Sequence, residues 1–149
     1  MPLTGEYEPS TRKQTREQVE RYEATGGREA NTLAGTNRPV VLFTTRGRKS
    51  GKIRKIALMR VEHDGKYAMV ASQGGAPKHP EWYLNLKADP QALIVQDGVE
   101  LIDATARELE GEEREIWWQR AVEAYPRYAE YQKRTERQIP VLLAERRDR

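Results

Sequence analysis

The chain has 149 residues, about the length of one domain, and no stretch approaches the roughly 18 consecutive apolar residues of a membrane span. Apolar residues make up 37% and charged residues 33%, a foldable composition, and the absence of cysteine excludes a disulfide framework and thiolate chemistry. The net charge of +3 is local: positions 46–55 hold six cations and no acid, leaving 20 basic against 23 acidic residues elsewhere. Such a patch suits a discrete anion better than a long polyanion.

Residues 10–24 read as a peripheral helix, with Thr15 and Gln18 at capping-box spacing and Gly26-Gly27 as its stop. Residues 28–38 are rich in Gly, Asn and Thr and read as a loop. The run PVVLFTT, 39–45, is apolar and β-branched, which predicts a buried strand. RGRKSGK, 46–52, is a turn, and 53–63 alternates as a second strand. Asp64-Gly65 is a hairpin signal, and 66–72 returns as a third strand. QGGAPKH, 73–79, is a loop. Pro80 opens a short helix over 81–88, which Asp89-Pro90 ends. Strands at 91–96 and 99–109 flank a second turn at Asp97-Gly98. A helix follows over 111–125, with Glu112 and Glu113 favouring its N-terminus. Pro126 separates it from another at 127–137. The last strand is 139–144, and Pro140 places its start or an edge there.

Antiparallel hairpins dominate and no βαβ rhythm appears, which argues against a Rossmann sheet. The expected class is α+β: a split β-barrel of about six mainly antiparallel strands with peripheral helices. Residues 1–38 would supply an N-terminal helix and connecting loop, and 39–145 the barrel, within a single domain. The N-terminus has no basic start before an apolar run, so no signal peptide is read, and a cytoplasmic protein is expected.

His63 and His79 lie apart with no ligand cluster, so no metal is expected. No G-x-S-x-G motif exists. GRKSGK fails as a phosphate loop: Gly47 and Gly51 have three residues between them rather than four, and Ile53 stands where Ser or Thr belongs. Hard chemistry would therefore need an organic cofactor. The basic turn has three readings: a solvated hairpin, a nucleic-acid contact, or a clamp for a phosphorylated or carboxylated small molecule. Arg54 and Lys55 carry the charge onto a strand, where geometry is fixed, and this favours the clamp. Gly74-Gly75 permits close backbone approach beside Trp82 and Tyr83. Tyr125, Tyr128 and Tyr131 read either as a packing stripe or as a lid carrying neutral phenols.

Three motifs in order, TTRGRKSGKIR, ASQGGAPKHPEWYLNL and YPRYAEYQKRTERQIP, resemble the deazaflavin-dependent nitroreductase family of actinobacteria. The resemblance covers 39–144. It implies a split β-barrel that binds the reduced 8-hydroxy-5-deazaflavin coenzyme, coenzyme F-420, and passes a hydride to a quinone, enone or nitroaromatic acceptor. It implies that Arg48, Lys49, Ser50, Arg54 and Lys55 hold the phosphate and oligoglutamate tail. Ile56, Leu58 and Met59 would flank the coenzyme. Val70, Ala71, Ser72 and Gln73, with Glu81, Trp82, Tyr83, Leu84 and Asn85, would line the deazaflavin. Tyr128 would stand over the ring system, with Tyr125, Tyr131 and Ser72 at the acceptor, and Tyr128 or Ser72 supplying a proton. Gln73, His79 and Glu81 depart from the family pattern. The rival readings are an FMN-binding reductase on the same barrel, and a non-enzymatic coenzyme carrier or nucleic-acid binder. The expected partners are a small coenzyme and an acceptor, with no nucleic acid; a homodimer is left open.

Overall fold

The computed structural model describes residues 3–147. After helix α1 (Lys13–Thr25) come strands β1 (Val40–Arg46), β2 (Ile53–Met59), β3 (Glu62–His63) and β4 (Lys66–Val70), then helix α2 (Glu81–Ala88). Strands β5 (Leu93–Asp97) and β6 (Glu100–Glu108), helices α3 (Gly111–Ala124) and α4 (Arg127–Lys133), and strand β7 (Val141–Arg146) complete the order. All seven strands form one antiparallel sheet, β2-β1-β5-β6-β7-β4-β3.

The two terminal strands of that sheet, β2 and β3, are neighbours in the chain. The segment 53–63, expected as one strand, is divided at Arg60-Val61. The Arg60 amide still donates to Pro39 O at 2.9 Å, at the end of the β1 pairing. Val61 O already accepts from Ala68 N at 2.8 Å, at the start of the β4 pairing. The chain changes partner across these two residues, which curls the sheet into a half-barrel. The fold is thus α+β with a split antiparallel barrel, as the sequence indicated.

Local chemistry sets most of the other boundaries. Asp64 and Gly65 both have positive φ (53° and 78°) between the paired His63 and Lys66, the demand of a two-residue primed turn. The second hairpin turn lies one residue later than expected: Asp97 pairs with Glu100, so Gly98 and Val99 form the loop. The expected capping box of α1 does not form. The helix begins at Lys13 without a side-chain cap, and Gln18 Nε2 instead donates to Ala30 O and Thr32 O. Pro140 precedes β7, which lies inside the sheet between β6 and β4, so it marks a start and not an edge. The helix expected through 137 ends at Lys133.

Alternation along the strands divides the core into two faces. One face collects Val41, Phe43, Tyr67, Met69, Ala71, Leu93, Val95 and Ile102, and α2 closes it with Trp82, Tyr83 and Leu86. The other carries Val40, Leu42, Met59, Ala68, Val70 and Leu143, and lies under Val19 and Tyr22 of α1, Trp117 and Ala121 of α3, Tyr125 and Tyr128. Among the described residues, no helix is long and apolar enough to cross a membrane.

Candidate functional site

The β1–β2 turn carries Arg48, Lys49 and Ser50 at the surface. It is docked on α2. The Arg48 backbone amide donates to Asn85 Oδ1 at 3.1 Å, and Asn85 Nδ2 reaches Thr45 Oγ1 at 3.4 Å. Asn85 and Thr45 are buried, so both polar groups are placed and partnered. The Arg48 guanidinium bridges to Glu81 at 2.7 Å.

Three further cations of the patch are paired with acids, while Arg46 donates to the Gly51 and Thr4 carbonyls. Lys52 meets Glu6 at 3.6 Å and Arg54 meets Glu8 at 3.1 Å, both acids lying on the segment before α1. Lys55 pairs with Glu23 of α1 and stands over the Tyr7 ring at 5.0 Å. This N-terminal segment runs along the edge of β2, exchanging Glu8 N→Ile53 O and Ile53 N→Glu6 O bonds of 2.8 and 2.7 Å. Sequence reasoning missed these acids, because nothing in their spacing links residues 6, 8 and 23 to a turn some 30 to 50 positions away.

Strand alternation also separates residues that the family resemblance had grouped. Arg54 shares its side of β2 with Ile56 and Leu58, which pack on the α2 face. Lys55 shares the opposite side with Ala57 and Met59, under α1. Val70 and Ala71 part in the same way. The expected coenzyme residues therefore fall into two groups: Arg48, Asn85, Arg54, Ile56, Leu58, Ala71 and the α2 residues on one side, and Lys55, Met59, Val70 and the tyrosines on the other.

Residues 71–79 join the two groups. Gln73, Gly74 and Gly75 form a tight 3-10 turn with successive positive φ of 44°, 66° and 82°. Glycine is required at 75: a Cβ there would lie 2.6 Å from Tyr131 O of α4. Ser72 is buried, while Gln73 and Gly74 are exposed. Beyond the turn, His79 packs its ring on Tyr83 of α2 at 4.7 Å, and the Tyr83 hydroxyl donates to Glu108 at 2.6 Å. Burial and the Glu108 carboxylate push the Tyr83 hydroxyl up to about 12. Burial, with the nearby Arg137 cation, holds the His79 imidazole below its ordinary 6.5.

The three tyrosines do assemble, around the α3–α4 junction. Tyr125 ends α3, and its ring packs edge-on to Tyr128 at 5.1 Å and to Tyr131 at 6.1 Å. The Tyr125 and Tyr131 hydroxyls lie 3.1 Å apart. Tyr128 is 5% exposed and belongs to the apolar cluster, so the packing component of this stripe is real. Burial pushes its hydroxyl well above the ordinary phenol value, which keeps it protonated. Tyr131 is the more accessible of the three.

The curled antiparallel sheet, with its basic turn, glycine-shaped loop and aromatic wall, is a split-barrel fold of the α+β class. The chain matches the F420H(2)-dependent quinone reductase family over residues 14–146 and belongs to it. It is 36% identical over 129 residues to the F420H(2)-dependent quinone reductase Rv1261c of Mycobacterium tuberculosis, covering 85% of each chain. Among solved structures, one described as an F420-H2 dependent reductase, FDR-A, is 64% identical. Its TM-score is 0.68, over 76% of this chain and 99% of that one. Another, described as a domain-swapped dimer, is 60% identical with a TM-score of 0.71, over 87% and 96% of the two chains.

The residues present fit a reduced deazaflavin. The turn offers cations whose present partners are surface carboxylates, the same kind of group as the coenzyme's tail, so one can replace the other without stranding a buried charge. The loop at 72–75 offers Ser72, two glycines and a turned backbone, which allow close approach of a planar ring.

Proposed function

We propose that this chain reduces quinones with the reduced deazaflavin coenzyme, and that its acceptor range extends to enones and nitroaromatics. The observation that carries this reading is that the basic turn and the 71–79 loop are both tied to α2, by the Arg48 N→Asn85 Oδ1 bond and by the His79 ring on Tyr83. When bound, the reduced deazaflavin supplies a hydride from its C5. The protein's part is to bind, orient and protonate. Arg48, Lys49, Ser50 and Arg54 hold the anionic tail, with Lys55 at the far side of the β2 edge. Val70, Ala71, Ser72 and Gln73, with Glu81, Trp82, Tyr83, Leu84 and Asn85, border the ring system. Ile56 and Leu58 exclude water from the α2 side of the strand, and Met59 does so from the opposite side, under α1.

A quinone that accepts a hydride needs one proton to become the quinol. The buried Tyr128 hydroxyl, protonated at all working pH values, is our candidate donor, and Ser72 is the second. Tyr125 and Tyr131 shape the acceptor site through their shared hydroxyl contact. Resemblance to a domain-swapped structure supports a homodimer, which light scattering would test.

The test of activity is direct. Purified protein, reduced deazaflavin and a soluble quinone are mixed, and the absorbance of the oxidised coenzyme is followed. Saturable, protein-dependent reoxidation is expected. A rate no faster than that without protein would refute the reading.

A further inference from the structure

Arg137 lies just beyond α4, within the third motif but at a position given no role above, and its guanidinium is aimed wholly at the 71–79 loop. Nε donates to Ala76 O at 2.9 Å. Nη1 donates to Ala71 O at 3.1 Å and lies 3.0 Å from His79 Nδ1, and Nη2 donates to Ser72 O at 2.9 Å. One planar fork thus serves three carbonyls and an imidazole, from both ends of a loop that turns through three successive positive φ values. Among the described residues no carboxylate is ion-paired with it, and burial holds its guanidinium below the usual arginine range.

The fork is itself fixed. Gln132 Nε2 on α4 donates to Arg137 O at 2.8 Å, and Gln132 Oε1 accepts from Ile139 N at 2.9 Å. The helix that bears Tyr128 and Tyr131 is therefore linked through Gln132 and Arg137 to the loop before α2. A guanidinium can serve four acceptors in one plane, whereas an ammonium is a point donor and cannot reproduce that pattern.

We propose that Arg137 is a positioning residue: it sets the 71–79 loop, and with it the register between the tyrosine cluster and α2, for receipt of the coenzyme ring. This rests on the deazaflavin reading of the same loop. Arg137 donates to the carbonyls from behind and does not itself contact the reacting atoms. With those carbonyls held, Ser72 and Gln73 keep their backbone orientation without help from a ligand. The loop is pre-organised, so coenzyme binding does not have to order it.

The test compares the wild type with Arg137→Gln and Arg137→Lys. Three quantities are read: hydrogen exchange at the Gly75 and Ala76 amides, which bond to Ser72 O and Gln73 O, the affinity for oxidised deazaflavin by fluorescence titration, and thermal stability. Faster exchange confined to the loop is expected in both variants, with core strands unchanged. Coenzyme affinity and KM for the coenzyme should worsen on the order of 10- to 100-fold, while kcat at saturation changes less. In Arg137→Gln the His79 imidazole should also titrate closer to its ordinary value, because the adjacent cation is gone. Loop exchange and affinity like the wild type in both variants would overturn the proposal. So would full rescue by lysine, which would make charge rather than the fork responsible, and so would uniform loosening of the whole chain. If the wild type binds no deazaflavin, the functional reading fails, and with it Arg137's role toward the coenzyme. The loop exchange then reports separately whether Arg137 holds the loop.

Discussion

The backbone amide of Arg48 donates to Asn85 Oδ1 at 3.1 Å, so the most basic turn of the chain is pinned to a buried polar side chain of α2. Asn85 holds Thr45 by its other terminus. Asn85→Ala removes both bonds. Unfolding by urea should show a loss of about 1–3 kcal/mol, the range for stranding buried polar groups. Deazaflavin affinity should fall too, since Arg48 no longer has a fixed position. An unchanged midpoint and unchanged affinity would mean that the turn does not depend on α2.

The acids that cover the patch should compete with the coenzyme's tail. Glu8→Gln releases Arg54 and Glu23→Gln releases Lys55. Exposed ion pairs are worth about 0.2–1 kcal/mol, so Glu8→Gln should tighten deazaflavin binding by no more than about fivefold, and Glu23→Gln, at a half-buried pair, should act in the same direction. Arg54→Ala should act in the opposite direction and flatten the salt dependence of binding. Weaker binding after removal of either acid would show that these carboxylates support the site rather than occupy it.

The tyrosine cluster separates packing from chemistry by the choice of substitution. Tyr128→Ala empties a buried site and should cost about 3–5 kcal/mol of stability. Tyr128→Phe keeps the ring contacts with Tyr125 and Tyr131 and should leave the melting temperature nearly unchanged. It removes the proposed proton donor, so quinone turnover should fall on the order of 100-fold. Tyr131→Phe breaks the hydroxyl contact with Tyr125 and should shift preference between a quinone and a nitroimidazole. Unchanged turnover in Tyr128→Phe would leave Ser72 or solvent as the proton source.

Stability should decline on the acid side of neutrality through His79. Burial first, and Arg137 second, depress its folded pKa below 6.5, whereas Glu108 acts in the opposite sense. As pH falls below 6.5, the unfolded chain takes up a proton that the folded chain excludes. The stability present above that value is therefore lost as pH drops through the folded pKa. Melting curves between about pH 7.5 and about pH 5.5, one unit above and below the reference imidazole value, should show this fall in the wild type and less of it in His79→Gln. An equal fall in the variant would place the effect elsewhere.

The curled sheet was legible because hairpin turns and β-branched runs are local signals. Asp64-Gly65 and the VVLFTT run each carry their own conformational demand. The change of partner at Arg60-Val61 was not legible: alternation persists through it, and alternation records which face is buried, not which strand lies alongside. Alternation along 53–63 already set Arg54 and Lys55 on opposite faces of the strand, and it was the family resemblance that grouped the two cations on one tail. Thr15 and Gln18 matched a capping pattern, yet Gln18 found carbonyls at Ala30 and Thr32 that only the folded loop provides. Arg137 was invisible for a related reason. It is one of several arginines in a charged segment, and its four acceptors lie 58 to 66 positions earlier in the chain.

The central claim is that this barrel takes a deazaflavin with an anionic tail in preference to an ordinary flavin. The most direct measurement is a paired fluorescence titration of the purified protein with oxidised deazaflavin and with FMN, repeated at low and high salt. The account predicts tighter binding of the deazaflavin, with affinity that weakens as salt screens Arg48, Lys49 and Arg54 from the tail. Equal or tighter binding of FMN would contradict it.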